Sequence, residues 1–296
     1  MNKTKTGYIA AIFTILVWST TYISTKILLK SFSPMQISLV RFTIGLIVLL
    51  ILSPPKPNKP ILKEELKLLG CGFLGMFLYY FLENLAAKYT YASNVSVIVT
   101  TIPLFTVILA PIFFKSEKFS VKYIAAFILS FGGLLIMFIS NGDLVSLSLK
   151  GDLTALLAAI IFSLYTLLLR SVNSNTHPLT LTRKTVFYGW IFIVITALIT
   201  KNIPNPGMVI RLYNLGHFLF LGVLASGLCF VTWAVAIRQI GAIRTSQFIY
   251  LVPFITISLS AIILHERITL SRIAGLIMIL TGVIVSQRKQ EKILVN

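Results

Sequence analysis

Apolar residues fill window after window of about 20 positions along this chain. The interruptions are short and carry proline, lysine or glycine. Reading runs against breakers predicts ten helices, at about 7–29, 34–53, 66–88, 93–114, 120–140, 151–172, 180–200, 215–238, 243–264 and 271–288. Runs of that length match the ~30 Å hydrocarbon core of a bilayer at ~1.5 Å of rise per residue. The strands of a membrane barrel would alternate apolar and polar positions over segments of about 10 residues, and these runs do not alternate. Pro34 and Pro178 stand where the second and seventh helices open. SPPKPNKP at 53–60 reads as a rigid loop, and Asn141-Gly142-Asp143 closes the first half.

The pattern occurs twice. Pro103 to Gly133 is answered by Pro253 to Gly282, the two prolines lying 150 positions apart. In each copy an apolar run leads to a glutamate (Glu117, Glu266) and a hydroxyl residue (Ser120, Thr269), then to a second run ending in glycine. Earlier in each half, Gly7 and Gly151 lie 11 residues before Trp18-Ser19 and Phe162-Ser163. Lys26 and Arg170, like Pro34 and Pro178, are offset by 144. The halves are therefore 1–145 and 146–296. Each holds five spans, an odd number, so the second must enter the membrane from the opposite side, the sequence mark of a secondary transporter. The fold class expected is an all-α integral membrane protein with ten transmembrane helices in two inverted five-helix repeats.

Composition agrees with a membrane bundle: 57% of residues are hydrophobic and 11% charged, and the mean hydropathy is +0.92. A net charge of +18 would suggest nucleic acid in a soluble protein, but here the basic residues sit at span ends, so no nucleic-acid partner is expected. With the N-terminus inside, 17 Lys and Arg fall at cytoplasmic ends and 8 at the outer ends, which predicts a multi-pass protein of the cell membrane with both termini cytoplasmic. Lys3 and Lys5 precede an apolar run too long for a signal peptide, read as a retained first helix. Cys71 and Cys229 lie inside spans without paired spacing and read as reduced and structural.

Three stretches carry a family resemblance: Pro34 with Arg41-Phe42, the run AAKYTYASNVSVIVTTIPLFTVILAPIFFKSEKFS (86–120), and AVAIRQIGAIRTSQFIYLVPFITISLSAIILHERIT (234–269). Together they make the whole chain resemble the drug/metabolite transporter superfamily, in its EamA-type ten-helix branch. KSEKFS departs from the Gly-Glu pair more frequent there. The resemblance implies a central cavity lined by helices 1, 3, 4, 6, 8 and 9, with alternating access between the two sides.

Among candidate site residues Glu83 comes first, the one acidic side chain deep in a predicted span. A charge there is costly, on the order of 2.5–3.5 kcal/mol on insertion scales, so it faces a cavity or a partner. Arg41 and Lys26 lie at similar depth. The two readings are a structural Glu83–Arg41 or Glu83–Lys26 pair and a cation- or proton-binding role. In the second case Glu83 would exchange protons with substrate. Ser19, Tyr22 and Lys26 share a face of helix 1 beside Trp18, matched on helix 6 by Ser163, Thr166 and Arg170. These polar stripes read as substrate contacts or as hydroxyls bonded to their own backbone. Tyr79, Tyr80, Asn84, Trp233, Gln247 and Tyr250 suggest an aromatic-walled cavity for an amphipathic metabolite such as an amino acid or a planar heterocycle, or else plain core filling. Pro103 and Pro253 are candidate gating kinks that free the carbonyls of Val99 and Ile249. Glu117 and Glu266 read as loop anchors. Glu83 and Arg41 have no charged counterparts in the second half, where Thr232 and Thr185 stand at the matching positions.

No metal site is expected: His177, His217 and His265 form no HxxxH pair, and the acids make no Asp-rich cluster. Without a phosphate-binding loop the chain does not itself hydrolyse ATP, and no cofactor is expected. The partners expected are a small-molecule substrate, the lipid bilayer and protons, as monomer or homodimer. A membrane-embedded enzyme and a flippase for lipid-linked substrates are the alternatives to an exporter of metabolites.

Overall fold

A computed structural model describes residues 3–55, 61–114, 121–139, 145–172, 176–240, 245, 248–266 and 268–287. Among them there are helices and turns but no strand. The long runs are α1 (Lys3–Leu28), α2 (Pro34–Leu52), α3 (Leu62–Tyr89), α4 (Ala92–Phe113), α5 (Val121–Ile139), α6 (Val145–Arg170), α7 (Pro178–Ile199), α8 (212–240), α9 (Phe248–Ile263) and α10 (Leu270–Gln287). By length and composition α1 to α4 and α6 to α8 can each cross a membrane, and α9 and the start of α10 are shorter apolar helices.

Local chemistry places the ends. Ser33 caps α2 with a reciprocal Gln36 bond before Pro34. The His177 ring accepts from the Leu179 amide ahead of Pro178. α3 starts four residues before the sequence-predicted 66, because Glu64 and Glu65 are accommodated in its first turn, where a carboxylate complements the helix dipole. The sequence pattern also gave no sign of the wider π-helical stretches Gly72–Leu78 in α3 and Phe220–Leu228 in α8. Asn141-Gly142-Asp143 and most of the 53–60 loop lie outside the described residues.

The two π-helical stretches sit at matching places in the halves, and they pack alike. A β-carbon on Gly72 would lie 2.8 Å from the Thr185 carbonyl oxygen and 2.8 Å from Tyr188 Cβ. One on Gly222 would lie 3.1 Å from the Arg41 carbonyl oxygen and 2.5 Å from Ile44 Cβ. Seen from the partner helix, Gly189 approaches the Gly72 carbonyl and Met76, while Gly45 approaches the Gly222 carbonyl and Ser226. Small residues here let backbones touch, as packing in lipid favours. The contacts fix the internal equivalences 41 with 185, 45 with 189, 72 with 222 and 76 with 226, and this register sets Trp233, not the expected Thr232, opposite Glu83.

The helix pairings follow the same rule. α1 packs on α8 and α6 on α3; α2 packs on α8 and α7 on α3; α5 lies against α10 and α2 against α7. The carboxyl end of α1 and the amino end of α6 share one end of the bundle. There Lys26 donates to the Thr90 carbonyl oxygen at 2.6 Å, and Thr90 Oγ1 donates to Asp152 at 2.7 Å. The corresponding first helices thus run in opposite senses, as an inverted repeat requires. The largest apolar core cluster draws on both halves.

Candidate functional site

A cavity of about 40 Å3 lies where the two halves meet. Its walls include three pairs of equivalent residues: Trp18 of α1 with Phe162 of α6, Val99 of α4 with Ile249 of α9, and Ile102 with Val252. The last two pairs bracket the breaks that Pro103 and Pro253 make in α4 and α9. α4 stops at Val99 and resumes at Ile102, with Thr100 and Thr101 tightened into bonds to Val97 and Ile98. α9 opens as a 3-10 turn over Phe248–Leu251 before its α-helical part begins at Val252. A proline within the first two positions of each resumed helix lacks the amide that the break leaves unpaired.

The polar residues of this cavity come from the first half: Thr21, Tyr22, Tyr79, Tyr80 and Glu83. Glu83 is 9% exposed. The Tyr79 hydroxyl, one helical turn earlier on α3, donates to Glu83 Oε1 at 2.6 Å, and Tyr22 of α1 lines the same cavity. The aromatic walls interlock: Tyr79 meets Tyr80 at 4.9 Å and Phe162 at 4.6 Å between centroids, and Trp18 meets Phe230 at 5.4 Å and Trp233 at 5.1 Å. A carboxyl group held by a phenol inside an aromatic box can exchange a proton or accept a hydrogen bond from an amine without any change of backbone.

Neither expected ion pair is made. The Arg41 guanidinium donates through Nε to Ser226 Oγ at 3.0 Å and lies 4.3 Å over the Tyr80 ring. Lys26 instead donates to the carbonyl oxygens of Ala87 and Thr90, each at 2.6 Å, beyond the last turn of α3, where a cation complements the helix dipole. The polar stripes divide. Tyr22 faces the cavity, whereas Ser19 donates back to the Ile15 carbonyl and Thr166 to that of Phe162. Ser163 also bonds its own backbone at Ala159 and reaches the Ile102 carbonyl of α4 at 2.9 Å, which ties α6 to the break in α4.

Asn84 faces α2, donating to Ser38 Oγ at 3.0 Å. Trp233 lines a second, smaller cavity, and Tyr250 lies against the core outside both cavities. Gln247 and Glu117 fall outside the described residues. Glu266 anchors α4: its carboxylate accepts from the amides of Ala92 and Ser93 and from the Ser93 hydroxyl at 2.6 Å.

The sequence reading did not single out Thr21, Phe162, Val99, Ile102, Ile249 or Val252 as lining residues. The signal for most of them was present, since they are repeat partners or neighbours of the paired prolines. It also passed over Asp152, which is fully buried at the start of α6 and accepts from Thr90 and Asn94.

An inverted pair of helical units around a cavity with one buried carboxyl defines a class, the duplicated helical-bundle membrane transporters. The family model for the EamA-like transporter family matches the chain twice, at residues 5–139 and 149–287, and the chain belongs to that family. It is 28% identical to an uncharacterized transporter of Clostridium kluyveri over 97% of this chain and 95% of that one. It is 26% identical to the uncharacterized transporter YvbV of Bacillus subtilis, covering 98% and 94% of the two chains. A solved structure titled only as the crystal structure of a protein superposes with a TM-score of 0.67 at 18% identity, covering 96% of this chain and 99% of that one.

Proposed function

We propose that this membrane transporter is a secondary exporter of a small amphipathic metabolite, amino-acid-like or purine-like, working by alternating access in the cytoplasmic membrane with both termini inside. The observation that carries the reading is the location of Glu83: a carboxyl held by Tyr79, beside Tyr22, in a cavity lined by the residues at the paired proline breaks in α4 and α9. Helices interrupted at equivalent points around a symmetry-related site are elements that can re-pack to open one side and then the other. The cavity is contracted, with room for little more than water, which fits a closed stage of such a cycle.

In this scheme the substrate's amine or N–H group displaces a tyrosine hydroxyl at Glu83 while its apolar part lies against Trp18 and Phe162. A proton taken up on Glu83 from the opposite side releases it, giving antiport. Purified protein in liposomes, offered amino acids, purines and organic cations with and without a proton gradient, tests this. The expected result is flux of one class that the gradient accelerates. Gradient-independent exchange would remove the coupling, and movement of lipid analogues in place of metabolites would favour the flippase.

A further inference from the structure

The internal equivalences set two seats side by side. In the first half Arg41 fills its seat, its guanidinium bonded to Ser226 and stacked on Tyr80. The equivalent positions in the second half are Thr185 for Arg41, Met76 for Ser226 and, on the same register of α3 and α8, Phe230 for Tyr80. At that place there is a cavity of about 20 Å3, lined by Met76, Thr182, Thr185, Phe230 and Trp233 among others. No lining residue carries a charge. Thr185 is 1% exposed, and its hydroxyl has no hydrogen-bond partner among the described residues. A buried hydroxyl left without a partner is destabilising, so the site favours a group that can donate to it.

We infer that this second cavity is a substrate subsite that receives a planar N–H-bearing group, the external counterpart of the guanidinium that Arg41 supplies in the other half. Phe230 and Trp233 offer ring faces for stacking, and Thr185 Oγ1 accepts the N–H. Met76, unbranched and adaptable, is the wall that gives way when the group enters. The subsite adjoins the Glu83 cavity, since Phe230 and Trp233 pack against Trp18, which lines it. A substrate can thus present an amine to Glu83 and a flat N–H group to Thr185. The inference rests on the transporter reading above, but its test needs no flux.

Full-length protein in lipid nanodiscs is titrated with benzamide, benzamidinium and acetophenone, which share shape and differ in N–H groups and charge, using calorimetry. The wild type is expected to bind benzamide or benzamidinium, and the preferred one states whether the group is neutral or cationic. Thr185→Val, which keeps the volume, is expected to weaken that binding about fivefold and leave acetophenone unchanged. Thr185→Ser, retaining the hydroxyl, is expected to bind the N–H probes like the wild type. Equal binding of all three probes to wild type and Thr185→Val, or binding of none to the wild type, overturns the subsite. Wild-type protein that transports a metabolite but binds none of the probes defeats this inference alone, and absent flux with intact probe binding defeats only the transport reading.

Discussion

Tyr79 donates its hydroxyl to Glu83 from one turn earlier on the same helix, 2.6 Å oxygen to oxygen, so the one carboxyl of the central cavity is held by its own element. Tyr22 lines the same cavity from α1. Tyr79→Phe is therefore expected to leave the fold intact and change substrate affinity by severalfold, in line with about 1–1.5 kcal/mol for one hydrogen bond to a carboxylate. KM measured in proteoliposomes is the check, and an unchanged KM and pH profile would count against a role for this bond.

The Arg41 seat is structural in this account. Its guanidinium is buried, bonded to Ser226 and stacked on Tyr80. Arg41→Lys loses the planar stacking and the fixed Nε bond, and Arg41→Ala adds a void. Thermal unfolding in detergent should drop for both, by about 1 kcal/mol for lysine and roughly 3 kcal/mol for alanine.

Glycine contacts between the halves set a steric prediction. A β-carbon on Gly189 would meet Met76 Cβ at 2.3 Å and the Gly72 carbonyl at 2.8 Å, whereas one on Gly216 would meet nothing within 4 Å. Gly189→Val should sharply lower the yield of monodisperse protein on size exclusion. Gly216→Ala should match the wild type.

At the Lys26 end of the bundle, Glu266 satisfies the amides of Ala92 and Ser93 at the start of α4. Glu266→Ala leaves both buried donors open and should cost about 2–4 kcal/mol, read as a lowered thermal midpoint. Glu266→Gln, which keeps one carbonyl acceptor, should lose less.

Much of the fold was legible because lipid imposes long apolar helices and because duplication printed each landmark twice. The proline breaks are the clearest case: Pro103 and Pro253 marked in sequence the places where Val99, Ile102, Ile249 and Val252 now line the cavity. The π-helical stretches were not legible, since Gly72–Leu78 and Phe220–Leu228 differ from α-helix only in hydrogen bonding that glycine-rich apolar sequence does not specify. The site was legible in part. Depth along a helix identified Glu83, but azimuth separates Tyr22, in the cavity, from Ser19, bonded to its own backbone. Similar depth likewise suggested Arg41 and Lys26 as partners of Glu83, yet Tyr80 and the end of α3 capture them first.

The central claim is that the Glu83 carboxyl is the group around which transport turns. Flux of the substrate found in the liposome screen, measured for wild type and Glu83→Gln from pH 5.5 to 8.5, tests it most directly. Glutamine keeps the size and the hydrogen-bonding oxygen but cannot take up a proton. The account predicts at least a tenfold loss of gradient-driven flux and a flattened pH profile, with an unchanged thermal midpoint. Flux and pH dependence identical to wild type would contradict it.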